Sequence, residues 1–465
     1  MSLTRDPSGQ LRLGGVLLAD LVQEAGTPTY AYDLDGMAAE AREMRAAFEG
    51  GAHLVAYAVK ANSAGAIVRT LAGEGCGADV VSGAELLVAL ASGIPPERIV
   101  YSGVAKGDGE IDRALACGER GIGAVQLESL EEIDRIEARA RVVGRRARVS
   151  VRVNPGVDVK DETHAHIATG HDAAKFGVSR DDVAVALRRI ESSQHLDLVG
   201  ISSHAGSQLS STGPYLQVAR VVFGIARDLR QAGRGQSLAF VDTGGGFGID
   251  YAAPPPRVHR VAEPGRRPHA PPRPAVFVGA LRAEQLRVGL GDLALCIEPG
   301  RSLVAPHGVL LARVIQAKIT RTARWVMIDA GMNDLLRPAL YQARHRIVPL
   351  EREVDPAGEL TWRVVGPVCE SSDDFGEHPL PPDPPPAVAI LDAGAYGYAM
   401  ASTYNGRPLP VEVFLRGGAV AGRTQRVNVE TWAGERIAAG AQGAPTSKAK
   451  ETTGEKDRQD AKDAK

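Results

Sequence analysis

Five short segments of this sequence carry residue types that can do chemistry, and most of them stand at the end of an apolar run. Lys60, in AYAVKAN, sets an amine just beyond LVAYAV. Such an amine condenses with an aldehyde to a Schiff base where its surroundings favour the neutral form. Gly244-Gly245-Gly246-Phe247-Gly248 follows LAFVD, and backbone free of side chains lets amide N–H groups approach a phosphate. Glu298-Pro299-Gly300-Arg301 closes LALCIE. A carboxylate there can sit against the nitrogen of a pyridine-type ring and keep it protonated. Gly300 and Arg301 can add N–H groups to the phosphate, while the guanidinium can grip a substrate carboxylate. His204, in SSHAGSQ, can stack on the ring, with Ser207 in reach of the phosphate. Cys369-Glu370-Ser371-Ser372-Asp373 brings a thiol, ordinarily of pKa about 8.5, that can return a proton to a carbanion. Glu370 beside it can hold a substrate ammonium.

Each segment also has a plain structural reading. A lone lysine at a strand end usually reaches into solvent, and a glycine run is more often a tight turn. An isolated histidine or cysteine is more often a packed one. A second EPGR, Glu263 to Arg266, follows no apolar run and is read as coincidence. Only joint placement gives the segments weight, so the elements that carry them matter.

Eight apolar, β-branched runs predict strands: LVAYAV, ADVVS, IVYSG, IGAVQL, VSVRVN, LVGISSH, LAFVDTGGG and LALCIE. Between them, stretches such as AELLVALASG and YLQVARVVFGIARDLRQAG carry apolar residues at helical spacing. This alternation predicts a TIM-like α/β barrel of eight parallel strands, over 33–296, with its site at the strand C-terminal ends. The glycine run then follows strand seven and Glu298 closes strand eight, where barrels commonly hold phosphates. Beyond Arg301 the texture changes to HGVLLARVIQAKIT, ARWVMIDAG, TWRVVGPVCE and AVAILDAG, which predicts a mainly antiparallel β domain from 1–32 and 297–438. Residues 253–274, APPPRVHRVAEPGRRPHAPPRP, occupy the place expected for the seventh barrel helix and are too rich in proline to form one. Residues 439–465 are charged with almost nothing to bury, and disorder is expected.

Bulk properties narrow the class. A chain of 465 residues with a formal net charge of -2 offers no electrostatic footprint for nucleic acid or an anionic membrane, so a small-molecule partner is expected. Cys76, Cys117, Cys296 and Cys369 lack metal-knuckle or disulfide-framework spacing, which points to reduced thiols, no metal and a cytoplasmic location. No apolar run reaches bilayer-spanning length and the N-terminus has no secretory pattern.

In this order and spacing, from GTPTYAYD near residue 27 to about residue 437, the segments resemble the diaminopimelate decarboxylases, among the barrel-type pyridoxal-phosphate decarboxylases that include ornithine and arginine decarboxylases. The resemblance implies that Lys60 bears pyridoxal phosphate and His204 stacks on its ring. It places Asp79 and Glu85, of CGADVVSGAEL, near the cofactor, with Gly244, Gly245, Gly246, Ser207, Glu298, Gly300 and Arg301 around it. Arg337 and Tyr341, of RPALY, match ligands of a substrate carboxylate, and Tyr396, of GAYGYAM, matches a tyrosine touching phosphate and substrate. It further implies a homodimer in which Cys369 and Glu370 reach into the partner's barrel. The pairing of CES with RPALY and Arg301 favours diaminopimelate over ornithine, because a distal carboxylate and ammonium need charged partners. Decarboxylases of ornithine, arginine, D-amino acids or carboxynorspermidine, and a noncatalytic regulatory homologue, are the alternatives.

Overall fold

The computed structural model describes residues 3–157, 175–256, 270–351 and 358–441. The eight apolar runs form eight parallel strands closed into one barrel: His53–Ala58, Gly77–Val80, Ile99–Tyr101, Ala124–Leu127, Ala147–Arg152, Leu196–Ser202, Phe240–Asp242 and Ala294–Ile297. They read as near-continuous apolar runs because parallel strands are covered on both faces. Ala56, Ala124, Val199, Phe240 and Cys296 form a small buried cluster of their own, which makes Cys296 a packing residue. The helices that follow the strands are amphipathic and start on side-chain caps where the sequence offers one. Ser82 accepts from the Glu85 N–H and Ser129 from the Glu132 N–H, each at 3.2 Å.

The seventh helix corrects the sequence-based expectation. It lies at Pro274–Arg287, with proline at its start where no N–H is needed. Phe277, Val278 and Leu281 are buried, whereas Val276 and Leu286 are exposed, so its apolar residues are spread around the helix and leave no periodic signal. Most of the Pro/Arg segment, including Glu263 to Arg266, lies outside the described residues, as does the end of the charged tail.

After strand eight the chain makes a short helical turn, Arg301–Val304, and a 3-10 turn, Ala305–His307, before leaving the barrel. The helix Leu34–Ala46, which precedes strand one, packs against both Gly65–Gly73 and Pro274–Arg287 and so fills the gap in the outer ring. Asp33 caps it and ends the strand Thr29–Asp33, which belongs to the second sheet. That sheet runs in the order Asp374–Leu380, Leu360–Val365, Arg324–Ile328, Gly308–Ile319, Thr29–Asp33, Val411–Arg416 and Ala419–Arg423. Ala387–Ile390 pairs with Gly308–Ile319 and with Ile347–Pro349. Its pairings are antiparallel except two: Arg324–Ile328 with Leu360–Val365, and Thr29–Asp33 with Val411–Arg416. Leu311, Ala389 and Val413 from this sheet pack with Leu11 and Leu18 from the N-terminal segment in a second core. All of this lies in one compact unit, Met1–Arg426; Val429–Ala441 forms a helix in a separate unit.

Candidate active site

Lys60 sits in a single 3-10 turn, Val59–Ala61, that continues strand one past the barrel rim. Its Nζ donates to Asp79 Oδ2 at 2.7 Å, and the Ser102 hydroxyl donates to Asp79 Oδ1 at 2.6 Å. Asp79 is fully buried, while the Lys60 side chain keeps 39% of its surface open, so a reactant can reach the amine. Burial works against the charge on Lys60, but Asp79 and then Glu298 outweigh it and hold the amine above its ordinary pKa. The surroundings thus favour the ammonium, opposite to what condensation with an aldehyde requires. Among the described residues Asp79 is the proton acceptor in hydrogen-bond contact with it.

Inside the barrel mouth two buried carboxyls share one amide. Gln126 Nε2 donates to Glu298 Oε1 at 2.8 Å and lies 3.3 Å from Asp242 Oδ2, and Gln126 Oε1 accepts from the Ser202 hydroxyl. Burial pushes Asp242 up to about 6 and, with the Asp242 and Asp79 charges, lifts Glu298 far above the carboxylate range. The pair therefore holds a proton near neutrality. Because the folded state binds protons on Asp242 more tightly than the unfolded chain does, its contribution to stability falls as pH rises from 3.8 to about 6. Glu298→Gln replaces a carboxyl that is held protonated in the fold but ionises in the unfolded chain above its ordinary pKa of 4.5, and so removes the proton uptake that costs stability as pH rises. The cofactor-free variant should be more stable than wild type at pH 7 by about 1–2 kcal/mol, with a flatter loss between pH 4 and 6. Denaturant melts across pH would read this, and a variant less stable than wild type at pH 7 would contradict it.

The glycine loop ties these groups to strand six. Gly244 and Gly246 take φ of 71° and 94°, and a Cβ on Gly245 would lie 1.9 Å from the Glu298 carbonyl oxygen. No other residue fits at Gly245. Its N–H donates to His204 Nδ1 at 3.1 Å, which puts the ring proton on Nε2. Burial, reinforced by Arg152 and Lys60, holds His204 far below its ordinary pKa, so the ring is neutral. Glu298 N–H donates to the Gly244 carbonyl at 3.0 Å, locking the loops after strands seven and eight together.

Arg301 is buried and donates from Nη1 to the Tyr251 hydroxyl at 2.6 Å and from Nη2 to the Ser207 hydroxyl at 2.9 Å. Its guanidinium lies 4.9 Å from the centre of the Tyr396 ring, and its buried Nε has no hydrogen-bond partner among the described residues. Tyr396 comes from the β domain with φ of 55°, and its N–H donates to the Ala61 carbonyl at 2.8 Å, beside Lys60. A Cβ on Gly300 would meet Ala61 at 3.0 Å and the Tyr396 hydroxyl at 3.3 Å. An amine, a buried protonated carboxyl, a neutral imidazole and a glycine cradle flanked by Ser207 and Arg301 therefore converge at one end of the barrel. This donor set fits an aldehyde-bearing ring with a basic nitrogen and a phosphate, which is what pyridoxal phosphate presents. Glu85, adjacent to this group, turns its carboxylate to the Val81 N–H at 2.8 Å and serves the helix start.

The residues matched to substrate divide into two sets. Arg337, on the short helix Arg337–Tyr341, is buried with its guanidinium 4.8 Å over the Tyr251 ring, joining the Arg301 cluster; Tyr341 is half-buried on the same helix. Cys369 and Glu370 are exposed. The Cys369 N–H donates to Asn405 Oδ1 at 2.9 Å, and the Tyr404 hydroxyl donates to Glu370 Oε1 at 2.5 Å. Both partners belong to the β domain. Among the described residues no hydrogen bond or ion pair joins Cys369 or Glu370 to Lys60, Asp79, His204 or Glu298. Gln126, Asp242, Tyr251, His345, Tyr404 and Asn405 complete these sets and were not singled out by the sequence pattern.

The pyridoxal binding domain of the pyridoxal-dependent decarboxylases matches residues 34–305. The chain is 40% identical over 432 residues to the diaminopimelate decarboxylase of Zymomonas mobilis, covering 91% of this chain and 96% of that one. It is 37% identical over 425 residues to that of Pseudomonas aeruginosa, with the same coverage. Among solved structures, diaminopimelate decarboxylase from Helicobacter pylori complexed with L-lysine superposes with a TM-score of 0.79 at 36% identity, covering 90% of this chain and 100% of that one. The M. jannaschii enzyme in co-complex with L-lysine gives 0.82 at 32% identity, covering 93% and 97%. With its closed barrel, its amine beside a carboxylate and its glycine cradle, this chain belongs to the diaminopimelate decarboxylase family of pyridoxal-dependent decarboxylases.

Proposed function

We propose that this protein removes one carboxylate of meso-2,6-diaminopimelate as carbon dioxide and releases L-lysine, the last step of lysine biosynthesis. The observation that carries the reading is a pair of buried guanidiniums, Arg301 and Arg337, neither of which pairs with a carboxylate among the described residues. Two unneutralised buried cations are costly unless an anion joins them. A substrate that keeps a second carboxylate supplies that anion; ornithine and arginine, once decarboxylated, do not.

When bound, pyridoxal phosphate supplies an aldehyde for amines and an electron-withdrawing ring that accepts the electron pair left by departing carbon dioxide. Lys60 would hold the cofactor through its amine, and Asp79, in hydrogen-bond contact with that amine, would take its proton. Glu298, which holds a proton beside Asp242, would face the ring nitrogen and supply that proton to it. His204, neutral and fixed by Gly245, would pack on the ring, while Gly244, Gly245, Gly246, Ser207, Gly300, Arg301 and Tyr396 would hold the phosphate side. Arg301, Arg337, Tyr341 and Tyr396 grip the carboxylate that is retained, and Glu370 holds the distal ammonium. The Cys369 thiol returns a proton to the carbon that lost its carboxylate. In this reading 33–296 is the cofactor lobe, and 1–32 with 297–438 supplies substrate and proton-donor residues. The exposure of Cys369 and Glu370 supports a homodimer with shared sites. Four free cysteines support a cytoplasmic location, and no helix among the described residues is long and apolar enough to cross a membrane.

Purified protein supplied with pyridoxal phosphate and meso-diaminopimelate should release carbon dioxide and L-lysine in equal amounts, with little turnover of ornithine or arginine. Preference for either of those monocarboxylates would overturn the substrate assignment.

A further inference from the structure

We propose that His345 and Tyr251 are positioning residues that aim Arg337 and Arg301 at one carboxylate without neutralising them. The inference rests on the substrate reading above and concerns residues that reading does not use. A guanidinium can only donate hydrogen bonds. His345 Nε2 lies 2.6 Å from Arg337 Nη1, so it is the acceptor, and the ring proton sits on Nδ1, which donates to the Leu391 carbonyl at 2.8 Å. Both ring nitrogens are used and the imidazole is neutral. Burial, and then the Arg337 charge, pushes His345 down to about 3, so this state persists at neutral pH.

Tyr251 stands between the two arginines. Its hydroxyl accepts from Arg301, and its ring centre lies 5.8 Å from the Arg301 guanidinium and 4.8 Å from that of Arg337. The ring meets the His345 ring edge-on at 5.2 Å. Like charges held this near would otherwise splay apart, and an aromatic face attracts both. The next residue, Arg346, donates to the Ala253 and Pro254 carbonyls and pairs with Asp392, tying the chain after Tyr251 to the strand end that carries Leu391. The chemical type of the partners decides the matter. A carboxylate at position 345 would fix Arg337 equally well but would quench its charge and compete with the incoming anion. A neutral acceptor fixes the fork and leaves the charge for the ligand.

The test uses holoenzyme and calorimetric binding of two probes: L-lysine, and 1,5-diaminopentane, which has the same chain and amines but no carboxylate. His345→Phe should weaken L-lysine by ~10–30-fold and change 1,5-diaminopentane by no more than ~2-fold, since a lost charge-assisted hydrogen bond acts only on the carboxylate. His345→Gln, which restores an acceptor, should recover most of the loss. With diaminopimelate the Phe variant should show its effect mainly in KM. Tyr251→Phe, which keeps the ring and loses only the acceptor, should weaken L-lysine selectively by ~5–10-fold and carries the same test should His345→Phe fail to fold. Equal weakening of both probes, or an unaffected L-lysine, would overturn the positioning role. Failure of the substrate reading would be seen earlier and separately, in wild-type protein that does not turn over diaminopimelate.

Discussion

Lys60→Ala should lower decarboxylation by at least ~10⁴-fold if the amine removed is, as proposed, the one that bonds to the cofactor. Lys60→Arg should be equally inactive. It keeps a cation beside Asp79, 2.7 Å from the present Nζ, yet a guanidinium does not condense with an aldehyde. The two variants together separate the amine's chemistry from its charge. If Lys60 served only to neutralise Asp79, the Arg variant would work and the Ala variant would not. Reduction with borohydride should fix a pyridoxyl group on the peptide containing Lys60 in wild type and label no peptide in either variant. Either variant retaining more than ~1% of wild-type turnover would sink the assignment of Lys60 as the cofactor-bearing residue. The raised pKa of the amine adds a further consequence. Asp79→Asn removes the first of the charges that hold the proton on Lys60, so the amine should lose its proton at lower pH and combine with added pyridoxal phosphate across a wider acidic range.

The barrel is legible in the sequence because its strands are covered on both sides and write themselves as eight near-continuous apolar runs. The site residues that end those runs, Lys60, His204, Gly245 and Glu298, are legible for the same reason: a parallel barrel presents one rim to its ligands. Gln126 and Asp242 sit within or at the end of such runs too, and a polar residue in IGAVQL or LAFVD is a visible signal, but its pattern predicts only a strand. The seventh helix is hidden because Val276 and Leu286 face outward while Glu284 and Gln285 are buried, so polarity no longer reports burial there. The parallel pairing of Thr29–Asp33 with Val411–Arg416 leaves no local trace, since register between such distant segments is set by tertiary packing. Tyr251 and His345 are invisible for the same reason. Their roles exist only where the loop after strand seven meets the β domain. Tyr404 and Asn405 form a turn, with Asn405 at φ of 57°, and that this turn anchors the exposed Cys369 and Glu370 follows only from the folded sheet.

That outward pose sets up the second large effect. Cys369→Ala should lower turnover by ~10²–10⁴-fold if the thiol is the proton donor. Within one chain Cys369 and Glu370 are anchored to Asn405 and Tyr404, away from Lys60, so a thiol that acts on the substrate carbon has to act in another subunit's barrel. Subunit mixing decides this. When Lys60→Ala and Cys369→Ala chains are refolded together in equal amounts, half of the dimers are hybrids, and each hybrid holds one site in which an intact Lys60 faces an intact Cys369 from the other chain. Activity should then recover to about a quarter of the wild-type value. Were each site built within one chain, every site in the mixture would lack one residue or the other, and activity would stay at the floor of the Cys369→Ala protein. Glu370→Ala paired with Lys60→Ala should complement in the same way, because Glu370 rides on the same exposed segment. Recovery by the Cys369 pair alone would separate the two residues and leave the distal ammonium to a group in the barrel's own chain.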